Sequence, residues 1–223
     1  MRPLLYSFTL FLILSSTPSL LAQSTSGGGN VNLDFQIGET FLPGNPESVE
    51  VASGRNFGTE LVVTSYQSNW RGLYVLGVAY DISTFFTDGT FIENSDGDAA
   101  FVQTPTALRN NRLVFQRIGI PIRYQHRLIK GDTKPNGLYA GIGLIPAFDV
   151  SGRQVYRQNG DAVNDRLSDY RRFNVDLEVS FLARNIPGGS GGYWKIESGS
   201  RIQLLSPADN FRQWQIFVRL GGF

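Results

Sequence analysis

The chain of 223 residues contains no cysteine and a single histidine, His126. Lack of cysteine excludes the disulfide framework that small exported domains use to offset a weak core, and it excludes lipid attachment at a new N-terminal cysteine. With one histidine, any serine–histidine hydrolase or histidine-ligated metal site would have to be built on His126. Charge of one sign is also lacking: 20 Lys and Arg face 19 Asp and Glu, a net charge of +1, so no general field draws the molecule to nucleic acid. After the first segment no run of about 18 apolar residues occurs, which excludes a membrane-spanning helix and leaves a spanning β-barrel open.

What is present begins with an export signal. Arg2 supplies the positive start, an apolar stretch runs from Leu4 to Ile13, and a Ser/Thr/Pro break leads to Leu20-Leu21-Ala22. This order reads as a secretory signal peptide over residues 1–22, cleaved after the small Ala22. Residues 23–30, with Gly27-Gly28-Gly29, read as a flexible leader, and 31–223 as one domain.

The dominant pattern in that domain is apolar and polar alternation, the two-residue period of a strand with unlike faces. Val31, Leu33, Phe35 and Ile37 oppose Asn32, Asp34 and Gln36 in the first of eight such segments. The second, about Phe57 to Gln67, is less regular, and in the third Tyr74, Leu76, Val78, Tyr80 and Ile82 oppose Gly77, Ala79 and Asp81. The fourth sets Ile118, Ile120, Ile122 and Tyr124 against Arg117, Arg123, Gln125 and Arg127. In the fifth, Leu138, Ile142, Leu144, Pro146 and Phe148 oppose Tyr139, Gly141, Gly143 and Asp149. The sixth sets Phe173, Val175, Leu177, Val179 and Phe181 against Asn174, Asp176, Glu178 and Ser180. The seventh sets Trp194, Ile196, Ile202 and Leu204 against Lys195, Glu197, Arg201 and Gln203, and the last sets Trp214, Ile216, Val218 and Leu220 against Gln213, Gln215 and Arg219.

Segments of about ten residues or more suit a tilted strand crossing a hydrocarbon layer, where every backbone group must be paired and no edge left open. The expected fold is therefore all-β: a closed up-and-down antiparallel transmembrane β-barrel of eight strands. A soluble secreted barrel or sandwich is the alternative, with shorter strands and its apolar face inside. The connections separate the two, because outer-membrane barrels have long outer loops and short periplasmic turns. Pro43 to Asn56, Thr84 to Asn111 and Ser151 to Asp169 are long, with a brief fourth outer connection from Ser206 to Asn210. Ser68 to Arg71, Lys130 to Asn136 and Asn185 to Gly192 are short and rich in turn residues. Aromatic residues fall into two girdles: Tyr66, Trp70, Tyr124, Trp194 and Phe223 at one end, Phe41, Tyr80, Phe148, Phe173 and Trp214 at the other.

Three stretches, Arg117-Ile118-Gly119-Ile120-Pro121-Ile122-Arg123-Tyr124, Gly137-Leu138-Tyr139-Ala140-Gly141-Ile142-Gly143 and Phe217-Val218-Arg219-Leu220-Gly221-Gly222-Phe223, resemble the PorT-like outer-membrane β-barrel family. With strand spacing, the resemblance covers roughly residues 30–223. It implies an outer-membrane location in a Gram-negative bacterium, insertion by the barrel assembly machinery, and for some members a link to protein secretion. The chain departs from the expected pattern at its last strand, where Phe223 is out of step with Leu220, Val218 and Ile216. A bulge at Gly221-Gly222 would restore the phase.

In this assignment Asp34, Asp81, Arg117, Arg123, Arg127, Asp176, Glu178, Lys195, Glu197, Arg201 and Arg219 all point inward. An eight-stranded interior is just wide enough to be filled by side chains, so these charges read as a salt-bridged plug, with a narrow ion path as the functional alternative. The third outer loop and its flanks carry Arg153, Arg157, Arg166, Arg171 and Arg172, whose forks suit lipopolysaccharide phosphates; rim solubility is the plainer reading. His126 has the parity of the lipid face, and no polar partners for catalysis gather around it. Glu93-Asn94-Ser95-Asp96-Gly97-Asp98 is an acidic loop that lacks the terminal bidentate glutamate of an EF-hand. The expectation is a non-enzymatic, monomeric outer-membrane protein without cofactor, surrounded by membrane lipid and lipopolysaccharide and binding no nucleic acid. Its long outer loops would carry a structural or interaction role. A small channel for ions or solutes is the alternative.

Overall fold

The computed structural model describes residues 29–42, 54–66, 71–93, 99–103, 109–131, 136–158, 161–168, 170–187, 193–208 and 211–222. The signal segment, most of the leader, Trp70, the acidic stretch 94–98 and Phe223 lie outside these residues.

Among the described residues the regular structure is all strand. In chain order the strands are β1 (Gly29–Phe41), β2 (Gly54–Tyr66), β3 (Gly72–Phe86), β4 (Gly89–Glu93), β5 (Ala99–Gln103) and β6 (Arg109–Gly119). They continue as β7 (Ile122–Lys130), β8 (Gly137–Gln158), β9 (Asp161–Arg166), β10 (Phe173–Pro187), β11 (Tyr193–Leu205) and β12 (Trp214–Gly222). β6 and β7 are two halves of one strand, since both pair with β3 on one side and β8 on the other. The interruption has a local cause: Pro121 has no N–H to give the ladder. The bonds Ile120 N to Pro146 O (2.9 Å) and Gly77 N to Pro121 O (3.2 Å) carry the pairing across it.

With β6 and β7 counted together, a ring of 8 antiparallel strands forms, each paired with the next along the chain, and β12 pairs back onto β1. Closure leaves no edge in the ring itself, which answers the backbone-pairing requirement without help from solvent. The end of β2 and start of β3, the end of β7 and start of β8, and the end of β10 and start of β11 lie at one end of the ring, together with the start of β1 and the end of β12. The strand ends that flank the longer connections lie at the other. The order and number of strands match the sequence pattern, and β1 starts two residues earlier than the assigned leader boundary.

Two hairpins occupy stretches that read as loops. β4 and β5 pair within the second long connection, and β9 pairs with the far end of β8 within the third. Alternation along β8 conceals this extension because the phase changes partway. Gln116 pairs with Ser151 and Arg117 with Asp149, leaving Val150 as an extra, bulged residue. Before the bulge Ala147 and Asp149 are buried; after it Gly152 and Gln154 are. No such shift occurs in β12, whose register on β11 runs unbroken from Trp214 to Gly222; Phe223, whose phase a bulge at Gly221-Gly222 would restore, lies outside the described residues.

The two faces of the ring are the reverse of a soluble protein's. Outward side chains are apolar and open: Ile37 is 58% exposed, Leu76 55% and Ile142 56%. Inward side chains are largely polar and closed off, with Arg201 and Arg219 each 1% exposed.

Candidate functional site: a charged interior sealed at both ends

Because each strand alternates, every second residue around the ring is delivered to one enclosed space. Its centre is Glu178 on β10, which takes the guanidinium groups of Arg123 (Nε to Oε1, 2.5 Å), Arg201 (Nη2 to Oε2, 2.9 Å) and Arg219 (Nη2 to Oε2, 3.0 Å). Glu60 on β2 faces the same three. Arg123 donates to it through Nη1 to Oε2 at 2.8 Å and Nη2 to Oε1 at 2.7 Å, a two-point fork. Arg219 Nη2 is 3.1 Å from Glu60 Oε1 and Arg201 Nη2 is 3.6 Å from it. Arg219 Nη1 reaches Glu197 Oε2 at 2.6 Å, while Gln125 and Ser180 donate to Glu197 Oε1 at 2.8 Å and 2.6 Å. Gln36 accepts from both Arg201 and Arg219 and donates to Asn56, which donates to Ser83. Toward the long-connection end Arg117 bridges Asp149 (3.0 Å) and Asp176 (3.1 Å), and Arg201 Nη1 lies 3.3 Å from Asp81. Toward the short-turn end Lys195 Nζ meets Asp34 at 2.6 Å.

Phe217 lies beneath the arginines, with Arg219 4.6 Å and Arg201 5.5 Å from its ring centre. Glycines flank it on both sides, Gly199 against the ring and Gly38 against the backbone at Ile216 and Phe217. A Cβ at Gly199 would come within 2.7 Å of that ring, and one at Gly38 within 2.4 Å of Ile216 O.

Ten of the eleven charges assigned inward by sequence belong to this ion-paired set: Asp34, Asp81, Arg117, Arg123, Asp176, Glu178, Lys195, Glu197, Arg201 and Arg219. Arg127 does not join it; half-buried at the short-turn end, it hydrogen-bonds Tyr139 instead. Sequence reasoning left Glu60 out because Leu61, Val62 and Val63 follow it and blur the parity of β2. The inward row Asn56, Gly58, Glu60, Val62, Thr64 was the available signal. Asp149 and Arg184 were likewise left out of the network, although both are buried. The buried cations are Arg117, Arg123, Arg184, Lys195, Arg201 and Arg219; the buried carboxylates are Asp34, Glu60, Asp81, Asp149, Asp176, Glu178 and Glu197. Among the described residues, counting the half-buried Arg127 at the short-turn end makes the formal cations and carboxylates of the interior equal in number.

Both ends of this interior are filled. At the long-connection end Leu42, Phe85, Phe91, Phe101, Leu113, Phe115, Leu167, Tyr170, Ala208 and Phe211 form one buried cluster. Phe211 is its hub, with ring centres at 4.9 Å from Phe101, 5.0 Å from Phe91, 5.7 Å from Phe85 and 5.8 Å from Phe115. The β4–β5 hairpin thus turns Phe91 and Phe101 into the mouth, anchored by Asn111 donating to Gly89 O and Thr90 to Gln154. At the short-turn end Leu73, Tyr139 and Leu182 close the space, with Tyr66 packed against them and Arg184 5.3 Å over the Tyr66 ring. Tyr66 therefore belongs to the interior and not to an outward girdle, a correction that follows from its sharing parity with Thr64.

The remaining residues singled out by sequence fall on the outside or the rim. His126 is exposed and pairs in register with Gly72, its Nδ1 3.3 Å from the Tyr124 hydroxyl. Arg153, Arg157, Arg166 and Arg171 are exposed and Arg172 is half-buried. Arg171 donates to Ser206 O at 3.4 Å, and Arg172 acts on Asp149, so these two serve the rim beside β10.

No family model matches the chain, and no curated protein matches it. One solved structure, described as "Asymmetric conductivity of engineered proteins", is similar over 87% of this chain and 100% of that one, at 10% identity and a TM-score of 0.19. A likeness that slight carries no argument about this protein.

Proposed function

We propose that the protein is an integral, non-enzymatic β-barrel of a Gram-negative outer membrane, exported with loss of residues 1–22, with a structural or interaction role exercised at its long-connection rim. One observation carries the reading: the ring exposes its apolar rows and buries its charges. In water an outward belt so rich in Ile, Leu, Val and Phe far exceeds the apolar patch a soluble monomer tolerates. Against acyl chains it is the required surface, a band about 25 Å tall with aromatic residues at its margins. Phe41 and Trp214 meet on that surface 5.7 Å apart, and Tyr74 and Tyr124 at 5.3 Å. The PorT-like resemblance, insertion by the barrel assembly machinery and a link to secretion remain part of the proposal and rest on the three sequence stretches alone.

A filled, neutral interior favours this reading over a channel. The second long connection, expected to meet partners, spends its aromatic residues on the inner seal. The β8–β9 hairpin is left as the projecting recognition element.

The native lack of cysteine makes the test clean. Single cysteines at Ile120, Val179 and Val218 are expected to resist a water-soluble maleimide in membranes, while one at Ala162 on β9 reacts. Folded protein extracted in mild detergent is expected to migrate faster on a denaturing gel until boiled. Rapid labelling at all four positions, with no heat-dependent migration, would reject the proposal.

A further inference from the structure

Strand alternation sorts the charges of the β8–β9 hairpin onto opposite faces. Arg153 and Arg166 are direct cross-strand partners on the outward face. Arg157 lies further along the same face of β8, and Arg112 on β6 stands opposite Val155 between them. All four are exposed. The hairpin's acids have the other parity: Asp165 pairs with Gln154 and accepts the Tyr156 hydroxyl at 2.8 Å, and Asp161 pairs with Gln158. Among the described residues no carboxylate lies at ion-pair distance from any of the four arginines. Like charges directly opposite one another destabilise a sheet unless something neutralises them.

A pocket of about 330 Å³ lies at this cross-strand pair, lined by Val150, Ser151, Arg153, Asn164 and Arg166. Val150 and Ser151 line its side toward the outward belt, and beyond Val150, itself 42% exposed, lies the exposed Phe148, which pairs with Ile118 and Phe173. The pocket's upper wall is two guanidinium forks and an amide. An anion held there has oily surface immediately beneath it, which matches an amphiphile better than a free anion.

We propose that Arg153 and Arg166, flanked by Arg112 and Arg157, form a headgroup site for a phosphorylated lipid of the outer leaflet, the phosphate lying between the two forks and an acyl chain along Val150 and Phe148. This inference rests on the membrane reading above. Arginine suits the role because its planar donors meet two phosphate oxygens at once. Arg171 and Arg172 have other partners and take no part.

The test uses the full-length protein in phosphatidylcholine nanodiscs, with lipopolysaccharide as the probe and thermal shift and co-purification as readouts. Wild type is expected to retain the probe and melt at higher temperature with it. Arg153→Gln with Arg166→Gln is expected to weaken retention at least tenfold, dephosphorylated lipopolysaccharide to behave like that double variant, and Arg171→Gln with Arg172→Gln to match wild type. Millimolar inorganic phosphate is expected to give no shift. Equal retention by the Arg153/Arg166 variant, or equal stabilisation by inorganic phosphate, would overturn the site. Heat-dependent gel migration of the same samples separates the two ideas: if it is present while retention is unaffected, the site alone fails; if it is absent in wild type, both fail.

Discussion

Glu178 receives three guanidinium groups while fully enclosed, so its negative charge is the common partner that keeps Arg123, Arg201 and Arg219 from repelling one another. A buried ion pair adds little over a well-packed apolar pair, yet removal of one partner strands the rest in a poor solvent. Glu178→Ala is therefore expected to destabilise the protein by about 3–5 kcal/mol in urea titrations of detergent-folded material. Glu39→Gln, on the outward face opposite Arg55, is expected to change stability by less than about 1 kcal/mol. Tyr170 makes a different electrostatic prediction at the rim. Burial, with Asp149 adding to it, pushes its phenol up to about 12. An unfolded tyrosine titrates near 10, so the folded state holds a proton that the unfolded state has already lost. Stability from this group is complete below about pH 10 and declines from there toward pH 12. Tyr170→Phe is expected to flatten that decline relative to wild type.

At the level of elements, the β4–β5 hairpin and the β8–β9 hairpin come from similar-looking connections and end in opposite roles. The first carries Phe91 and Phe101 on one face of a short ladder, registered directly opposite each other, so both rings enter the mouth together. The second carries arginines on its outward face and stays at the surface. Phe211, contributed by the brief connection before β12, joins the inward hairpin to β3 and β6. Phe211→Ala is expected to cost about 3–5 kcal/mol locally. Amides of β4 and β5 should then exchange faster by hydrogen-exchange mass spectrometry, with β1 and β12 amides unchanged. Uniform acceleration across the ring would show that the seal is not a separable unit. Pro121 and the Val150 bulge interrupt the β6–β7 and β8 pairing, and further register shifts fall at Arg109/Arg112, Arg127/Ile129, Val175/Asp176 and Arg184/Ile186.

For the whole molecule, closure depends on a single long-range seam, β1 against β12. Loss of β12 would open two unpaired edges, each a row of unsatisfied backbone groups, which the proposed hydrocarbon surroundings would not accommodate. A chain ending at Arg212 is expected to show no heat-resistant form on a denaturing gel, whereas Phe211→Ala keeps one. Sealing at both ends predicts no single-channel conductance in planar bilayers for wild type. Alanine at Phe91, Phe101 and Phe211 together removes the outer seal but leaves the central ion pairs and the Leu73–Tyr139–Leu182 layer, so conductance is expected to stay absent. Measured channels in wild type would contradict the filled interior.

Much of this was legible in the order of residues. Period-two alternation is a local property of an extended chain, so the facing of Ile118, Arg123, Asp176 or Val218 follows from counting along the strand. Turn residues and strand lengths set the number of strands in the same way, and the inward charges could be named before any neighbour was known. Where alternation is disturbed the reading stops: three consecutive apolar residues hid Glu60, and one extra residue at Val150 reversed the phase and hid the outer half of β8. Tertiary structure alone decided which charges meet, since Glu178 and Arg219 are brought together by the stagger of non-adjacent strands and not by spacing. It also decided that one hairpin turns inward and the other outward. The inward turn depends on packing against a distant segment, since Phe91 finds Phe211, and nothing within residues 84–111 specifies that contact.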